Sequence, residues 1–326
     1  MSDRVASLVD SALAARASLL SDPEVEAVRA FHGQSDGVDG LVIEKLGPVC
    51  VAQLHEEKLR WPADEVRELV EVFHRRLGVS ATYRKAFVRD RAKVPANVAA
   101  LHADPQPWIG ERVEEEFLVR EYGLKLAVRP YDGFSVGLFL DHRDNRRRIR
   151  ELAAGRRVLN AFSYTGGFSV AAAMGGAVSV ASVDVSKRYL EWSKRNFAAN
   201  GLDVSPHRFY CSDVFEFYRR ARRQGLRYDL VVLDPPTFSR VPRSKKVFEV
   251  ERQLDELITG AVGLIDPGGV LLLATNDRGL SRESMEKALM QADPARGCTI
   301  IERPALPIDF AGDPEYSKTV IGRLEG

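Results

Sequence analysis

The stretch YDLVVLDPPTFSR, Tyr228–Arg240, sets the reading of the whole chain. Its first half is an apolar run of strand length. Its second half holds an acid, two adjacent prolines and an aromatic residue. Proline has no backbone N–H, so Pro235 and Pro236 end any strand ladder, and the chain must turn out of a sheet at Asp234. That leaves a carboxylate and Phe238 at a sheet edge, where open α/β folds bind ligands. An ordinary strand exit with an Asx-type turn has the same local appearance, so the flanking sequence has to decide.

From Gly155 onward the flanks alternate strand and helix. Strand-like runs at Arg156–Phe162, Ala177–Val185, His207–Cys211, Tyr228–Asp234 and Gly268–Thr275 are separated by helical patterns. These cover Gly167–Met174, Ser186–Asn200 (stopped by Gly201), Val214–Arg223 and Glu249–Ile265. A helix at Arg282–Ala292 and strands at Cys298–Arg303 and Thr319–Leu324 complete the pattern. Central strands that are apolar throughout imply a parallel sheet covered on both faces, here a doubly wound α/β sheet of about seven strands. The earlier half differs. It has a helix over Val5–Leu20 with Ser2 or Asp3 as cap, then short strands at Ala27–Phe31, Leu41–Glu44 and Val49–Gln53. A helix at Ala63–Leu77, a strand at Ser80–Arg84, a loop at Asp104–Gly110 and a hairpin about Gly123 follow. The expected division is an N-terminal helix over 1–22, a small mixed α/β domain over 23–130 and the doubly wound domain over 131–326.

With 47 basic and 46 acidic residues the net charge is +1, so any surface for nucleic acid must be local. The cysteines Cys50, Cys211 and Cys298 are too far apart in sequence for a zinc motif or a disulfide framework, and no metal is expected. No run is long and apolar enough to span a bilayer, and the polar start MSDR is no signal peptide. The expectation is a cytoplasmic protein with no membrane partner.

Four successive strand ends of the second half carry a polar feature. The first is NAFSYTGGFS, Asn160–Ser169, whose Gly166–Gly167 pair permits a tight turn and close approach of a ligand to a helix N-terminus. It lacks the GxGxxG dinucleotide fingerprint. Asp184 ends the second strand, where an acid can take both hydroxyls of a ribose; a helix cap, which Ser186 could equally supply, is the plainer reading. Asp213 ends the third, again open to a capping role, and Asp234 ends the fourth. One polar group on each successive strand end suits a nucleoside ligand with an amino-acid tail.

This set resembles the S-adenosylmethionine-dependent methyltransferase fold, with its Gly-rich turn, ribose acid, adenine acid and Asp-Pro-Pro motif. VGLFLDHRDNRR (Val136–Arg147), NAFSYTGGFSV, VDVSKRYLEWSKRNFAANGL (Val183–Leu202) and LDPPTFSR are together similar to large-subunit (23S) ribosomal RNA methyltransferases, most of all their guanine-N7 branch. GQSDGVDGLVIEKLG (Gly33–Gly47) resembles the small domain of the related cytosine-C5 branch. The resemblance implies S-adenosylmethionine as cofactor and ribosomal RNA as partner, and it allows a homodimer. It places Phe139, Asp141, Arg143, Asn160, Phe162, Ser163, Tyr164, Thr165, Gly166, Asp184, Val185, Ser186, Asp213, Val214 and Asp234 around the cofactor, with capping of a helix as the alternative for Asp141. Asp234, Pro235, Pro236 and Phe238 would present the base, Phe238 by stacking or else as a core residue. Arg240, Arg243, Lys245, Lys246, Asn276 and Arg278 would contact RNA. Many relatives begin with a PUA-type RNA-binding domain. Here about twenty-five residues precede the small domain, so RNA recognition by another route is expected.

Methylation of cytosine C5 needs a thiolate to attack C6. The C5 branch carries that cysteine just after the fifth strand, where this chain reads LLLATNDRG, Leu271–Gly279. Cys211 is expected to be a buried packing residue. Guanine N7 has a free lone pair and needs only alignment with a methyl donor. Guanine N2 needs hydrogen-bond acceptors such as Asp234 and the Pro235 carbonyl. The expected target is therefore a guanine, N7 before N2. The alternatives are cytosine C5 or a protein or small-molecule substrate. The arginines of Arg143–Arg150 and of the 240–246 loop fit an RNA backbone, whereas Arg219–Arg223 reads as solvated surface.

Overall fold

The computed structural model describes residues 2–87, 100–240 and 247–326. The chain forms two compact units, Met1–Leu140 with Pro307–Asp313, and Asp141–Leu306 with Pro314–Gly326.

The first unit opens with helix α1 (Asp3–Ala15), capped by Ser2 Oγ accepting from the Val5 N–H, and a short α2 (Ala17–Leu20). Strands β1 (Ala27–His32), β2 (Leu41–Leu46), β3 (Val49–His55), β4 (Ala81–Phe87) and β5 (Ile109–Gly110) form one sheet in that order. All neighbours are antiparallel except β3 and β4, which run parallel through the crossover helix α3 (Ala63–Arg76). Val5, Val9 and Ala12 recur at helical spacing on α1, as do Val66, Leu69, Val70 and Phe73 on α3. Both stripes bury with Phe31, Leu41 and Ile43. A hairpin of β6 (Phe117–Glu121) and β7 (Leu124–Val128) turns through Tyr122 and Gly123, both at positive φ, as primed two-residue turns require.

The division between units falls after Leu140, beyond the 130/131 boundary expected from the sequence. Residues 131–136 are tied to the first unit. The Arg129 N–H donates to Val136 O (2.8 Å), Lys85 Nζ reaches Gly133 O, and the His102 and Phe134 rings meet edge to face at 4.4 Å. The outlying Pro307–Asp313 belongs to the same unit. The Arg29 N–H donates to Asp309 Oδ2 (2.8 Å), and its guanidinium lies 4.1 Å over the Phe310 ring.

The second unit holds the seven-stranded sheet. Its strands are β8 (Arg157–Ala161), β9 (Ser179–Asp184), β10 (Arg208–Cys211), β11 (Tyr228–Leu233), β14 (Ile265–Thr275), β15 (Cys298–Glu302) and β16 (Lys318–Leu324). A short pair, β12 (Phe238–Arg240) with β13 (Val247–Glu249), stands apart from it. The sheet order is β10-β9-β8-β11-β14-β16-β15. The first five strands are parallel, but β16 is antiparallel to both its neighbours, so the sheet is mixed at one edge. Helices α4 (Arg143–Leu152), α5 (Gly167–Met174), α6 (Lys187–Ala199), α7 (Val214–Arg223), α8 (Val250–Val262) and α9 (Arg282–Gln291) complete the unit. The helix expected to reach Ile265 stops at Val262. Pro267 cannot extend a helix, and Ile265 already pairs with Tyr228 as β14 begins. Leu230–Leu233 and Leu271–Leu273 are fully buried, each contributing about 1.5–3 kcal/mol of apolar burial.

The chain runs outward from β8 to β9 and β10, then returns to β11 on the other side of β8. This order makes the β8/β11 boundary a topological switch point. Ala161 pairs with Leu233, so the Gly-rich loop and Asp234 leave the sheet side by side.

Candidate active site

The loop after β8 has an unusual backbone. Phe162 (φ 60°) and Tyr164 (φ 48°) are two of the three positive-φ residues other than glycine among the described residues, and Gly166 follows at φ 80°. Such strain persists only where the surroundings enforce it, and it concentrates at functional sites. Here the Ser163 N–H donates to Val183 O (2.8 Å), the Tyr164 N–H to Asp184 Oδ2 (2.9 Å) and Asn196 Nδ2 to Thr165 O (2.9 Å). A Cβ on Gly166 would lie 2.0 Å from Ser193 Oγ, so only glycine fits. Gly166 is also the N-cap of α5 and offers no side-chain cap. The first N–H groups of α5 are therefore not taken up by a capping side chain.

Asp184 accepts from the Tyr164 N–H on Oδ2 and from the Ser186 N–H (2.8 Å) on Oδ1. Burial raises its pKa, outweighing these two bonds. Ser186, not Asp184, caps α6, accepting from the Tyr189 N–H. The capping alternative for Asp184 is thereby excluded, and each carboxylate oxygen keeps acceptor capacity for a ligand hydroxyl. Asp213 does cap its helix: Oδ1 accepts from the Phe215 and Glu216 N–H groups, both at 3.1 Å. Both bonds fall on one oxygen. Asp213 and Asp184 are neighbours in space, because the intervening Ser212 N–H donates to Asp184 O (3.0 Å). Val185 is half-buried and Val214 buried beside them.

Asn160 is buried under the loop. Its Nδ2 donates to Ser169 Oγ (2.9 Å), while its Oδ1 and the nearby Ser163 Oγ are enclosed without a partner. Orphaned buried polar atoms beside a strained glycine turn and two acids fit a polar nucleoside with an amino-acid tail. S-adenosylmethionine has that chemistry.

Asp234 is about one quarter exposed, Pro235 is buried and Pro236 exposed. Phe238 is 49% exposed, so it is not a core residue. Its backbone pairs with Glu249, so the segment after the prolines is a short strand rather than a plain loop. Thr237 Oγ1 donates to Asn276 Oδ1 (3.1 Å), joining the segments after β11 and β14. Arg278 is exposed on the second of these. Arg240 ends β12, while Arg243, Lys245 and Lys246 lie outside the described residues.

Other expectations need correction. Cys211 is exposed, because β10 is the edge strand; its thiol donates to Val185 O (3.5 Å). Asp141 does not cap α4. His142 occupies the N-cap position without a side-chain bond to the helix, and the Asp141 carboxylate lies 3.6 Å from His142 Nε2. The arginines of α4 are not all available to an RNA backbone: Arg143 and Arg146 are buried, and Arg148 pairs with Glu302 and Glu151. Phe139 is exposed but belongs to the first unit.

Sequence reasoning missed two residues. His142 is buried with Nε2 3.3 Å from Asp234 Oδ2. Phe248 on β13 packs against Phe162 (5.1 Å between ring centroids) and Phe215 (6.3 Å), fastening the short strand pair to the Gly-rich loop. A histidine directly after an acid, in LDHRDN, was the available sign for the first. The second had none beyond an apolar residue.

A doubly wound sheet with a strained glycine turn and two acids at its switch point, and an Asp-Pro-Pro segment beside it, fits the class of cofactor-dependent methyl transfer. Comparison with known proteins bears this out. Residues 86–316 match the S-adenosylmethionine-dependent methyltransferase family model. A ribosomal RNA large subunit methyltransferase of Deinococcus radiodurans is 37% identical over 88% of this chain and 69% of its own length. The ribosomal RNA large subunit methyltransferase I of Klebsiella pneumoniae is 33% identical over 88% and 70%. The methyltransferase SMU.776, solved in complex with SAH, superposes with a TM-score of 0.86 at 29% identity, covering 98% of this chain and 81% of that one. The chain belongs to the S-adenosylmethionine-dependent methyltransferases, within the family of ribosomal RNA large subunit methyltransferases. Among the described residues no helix is long and apolar enough to cross a membrane.

Proposed function

We propose that the chain methylates a guanine of large-subunit ribosomal RNA, at N7, with N2 as the second choice. The observation that carries the choice of base is the placement of the thiols. The sequence has three cysteines, and each is far from suited to attack a base at the crevice. Cys50 is buried in the first unit with its thiol pushed up to about 12 by burial, and Cys298 lies on the opposite edge strand β15, pushed up to about 11 by burial and by Glu325. Cys211 sits two strands out from β8, about 10 Å at ordinary strand spacing. Cytosine C5 chemistry, which requires a thiolate at C6, would have to draw on Cys211 from that distance, which supports a guanine instead.

S-adenosylmethionine supplies an electrophilic methyl on a sulfonium. The loop from Phe162 to Gly166 would hold its amino-acid tail, Asp184 its ribose hydroxyls, and Asp213, through Oδ2, the adenine amino group. Phe238, exposed beside Asp234, offers a face for an unstacked base, the form in which RNA sequence is commonly read. With the donor bound, in-line attack by N7 would form an N–C bond as the C–S bond breaks, with no proton moved and the positive charge passing from sulfur to the purine. The Asp234 carboxylate would stand where that charge arrives.

The test is methyl transfer to ribosomal RNA, protein and metabolite fractions, followed by nucleoside analysis. The expected product is 7-methylguanosine, unchanged when all three cysteines are replaced by serine or alanine. A 5-methylcytidine product lost in Cys211→Ala, or transfer to protein or small molecules alone, would overturn the reading.

A further inference from the structure

His142 is a buried side chain near the crevice that neither the cofactor loop nor the base-facing segment accounts for. Its Nε2 lies 3.3 Å from Asp234 Oδ2 and 3.6 Å from Asp141 Oδ2. Its Nδ1 lies 3.0 Å from the Asn145 side-chain amide, which also bonds Thr319 Oγ1 (2.9 Å) on β16. The ring packs against Phe168 of α5 at 5.5 Å. Contacts from α4, α5 and the segment after β11 thus hold the imidazole, and β16 braces it through Asn145. Asp234 follows the last strand residue and precedes two prolines, so its own neighbours give its side chain little anchorage. The imidazole is the only side-chain partner of its carboxylate among the described residues.

Resting on the reading of Asp234 as the base-facing acid, we propose that His142 is its positioning residue: Nε2–H fixes Oδ2, so that Oδ1 alone faces the purine. Two carboxylates flank one imidazole, which sets the charge of the cluster. Burial pulls the pKa of His142 down, but Asp234 and Asp141 outweigh it and hold it at about 9, with Arg146 opposing them. The two carboxylates favour the imidazolium at neutral pH, and in that form the three groups together would keep one negative charge toward the arriving positive charge of the base. A protonated Nδ1 needs an acceptor. As placed, Asn145 Nδ2 faces Nδ1, which suits a neutral ring; the imidazolium requires the amide turned so that Oδ1, buried without a partner, faces the ring instead.

The experiment compares His142→Phe and His142→Gln with the wild type. It measures calorimetric affinity for S-adenosylmethionine, single-turnover methyl transfer to ribosomal RNA across pH 6–10, and the ¹⁵N resonances of the His142 ring. In His142→Phe the chemical step should slow by roughly 10²-fold, the scale of a misplaced reacting group, while cofactor affinity holds. His142→Gln restores a neutral donor near the Nε2 position and should recover most of the rate, without the wild-type fall in rate above pH 9. In Asp234→Asn the ring should titrate at lower pH. A His142→Phe rate equal to wild type, or a His142 titration unmoved by Asp234→Asn, overturns the proposal. Absence of RNA methylation in the wild type would instead defeat the proposed function, and the resonance measurement would still decide whether the pair exists.

Discussion

Gly166 combines a left-handed backbone with a wall on the side where a Cβ would stand. An alanine there meets Ser193 Oγ at 2.0 Å and takes a φ that costs an L-residue roughly 1–2 kcal/mol. Gly166→Ala should weaken S-adenosylmethionine binding by at least about tenfold, since a 1.4 kcal/mol loss at the site is one decade of affinity. Adding Ser193→Gly should recover part of that loss, by removing the clash but not the strain; calorimetric titration of both variants measures the two contributions. Asp184 is the complementary test on the ligand side. Asp184→Ala should abolish measurable cofactor binding while leaving α6 capped by Ser186. His142 adds a pH signature. Its pKa is about 9 when folded, against about 6.5 in an unfolded chain. The stability it contributes is fully present below pH 6.5 and is lost as pH rises through 9. Thermal melts should therefore decline between neutral pH and pH 9.5 in the wild type and lack that decline in His142→Gln.

The short β12–β13 pair separates two phenylalanines by exposure. Phe238, opposite Glu249, is exposed; Phe248, opposite Ser239, is buried against Phe162 and Phe215. Phe238→Ala should leave the melting temperature and cofactor affinity unchanged yet lower transfer to RNA by about 5–150-fold, the range of one lost base stack. Phe248→Ala should behave oppositely, destabilising the unit by about 3 kcal/mol or more in denaturant titration, as large-to-small core changes do. The helices Gly167–Met174 and Val214–Arg223 were legible to the residue, because periodicity and caps are local signals. So were the four polar strand ends. Burial on an edge strand was not. Nothing in HRFYC tells that β10 ends the sheet, and so Cys211 was misjudged. The arginines of α4 failed for a related reason: whether a charge is buried depends on partners contributed by distant elements, such as Glu302 for Arg148. The pairing of His142 with Asp234, ninety-odd positions apart, is likewise a product of the fold alone.

At the scale of the molecule, a net charge of +1 gives no general attraction to RNA, so phosphate contacts must come from particular clusters. In the sequence, Arg243, Lys245 and Lys246 follow β12 and so come shortly after the proposed base-facing segment. Replacing all three by alanine should reduce the slope of log affinity against log salt by about 2–3, one counterion per lost phosphate contact. An unchanged slope in filter-binding titrations would place RNA elsewhere on the molecule.

The excursion Pro307–Asp313 lies between β15 and β16, yet it belongs to the first unit, where Asp309 accepts from the Arg29 N–H and Phe310 lies under the Arg29 guanidinium. The polypeptide therefore passes between the units three times, not once. No single cut yields two whole pieces: a fragment beginning at Asp141 would carry Phe310 and Asp309 away from Arg29 and His32, and one ending at Leu140 would leave β1 without them. The two units are thus inherited together. A gene fusion or circular permutation that treats the catalytic sheet as an exchangeable module has to carry the upstream strands along with it.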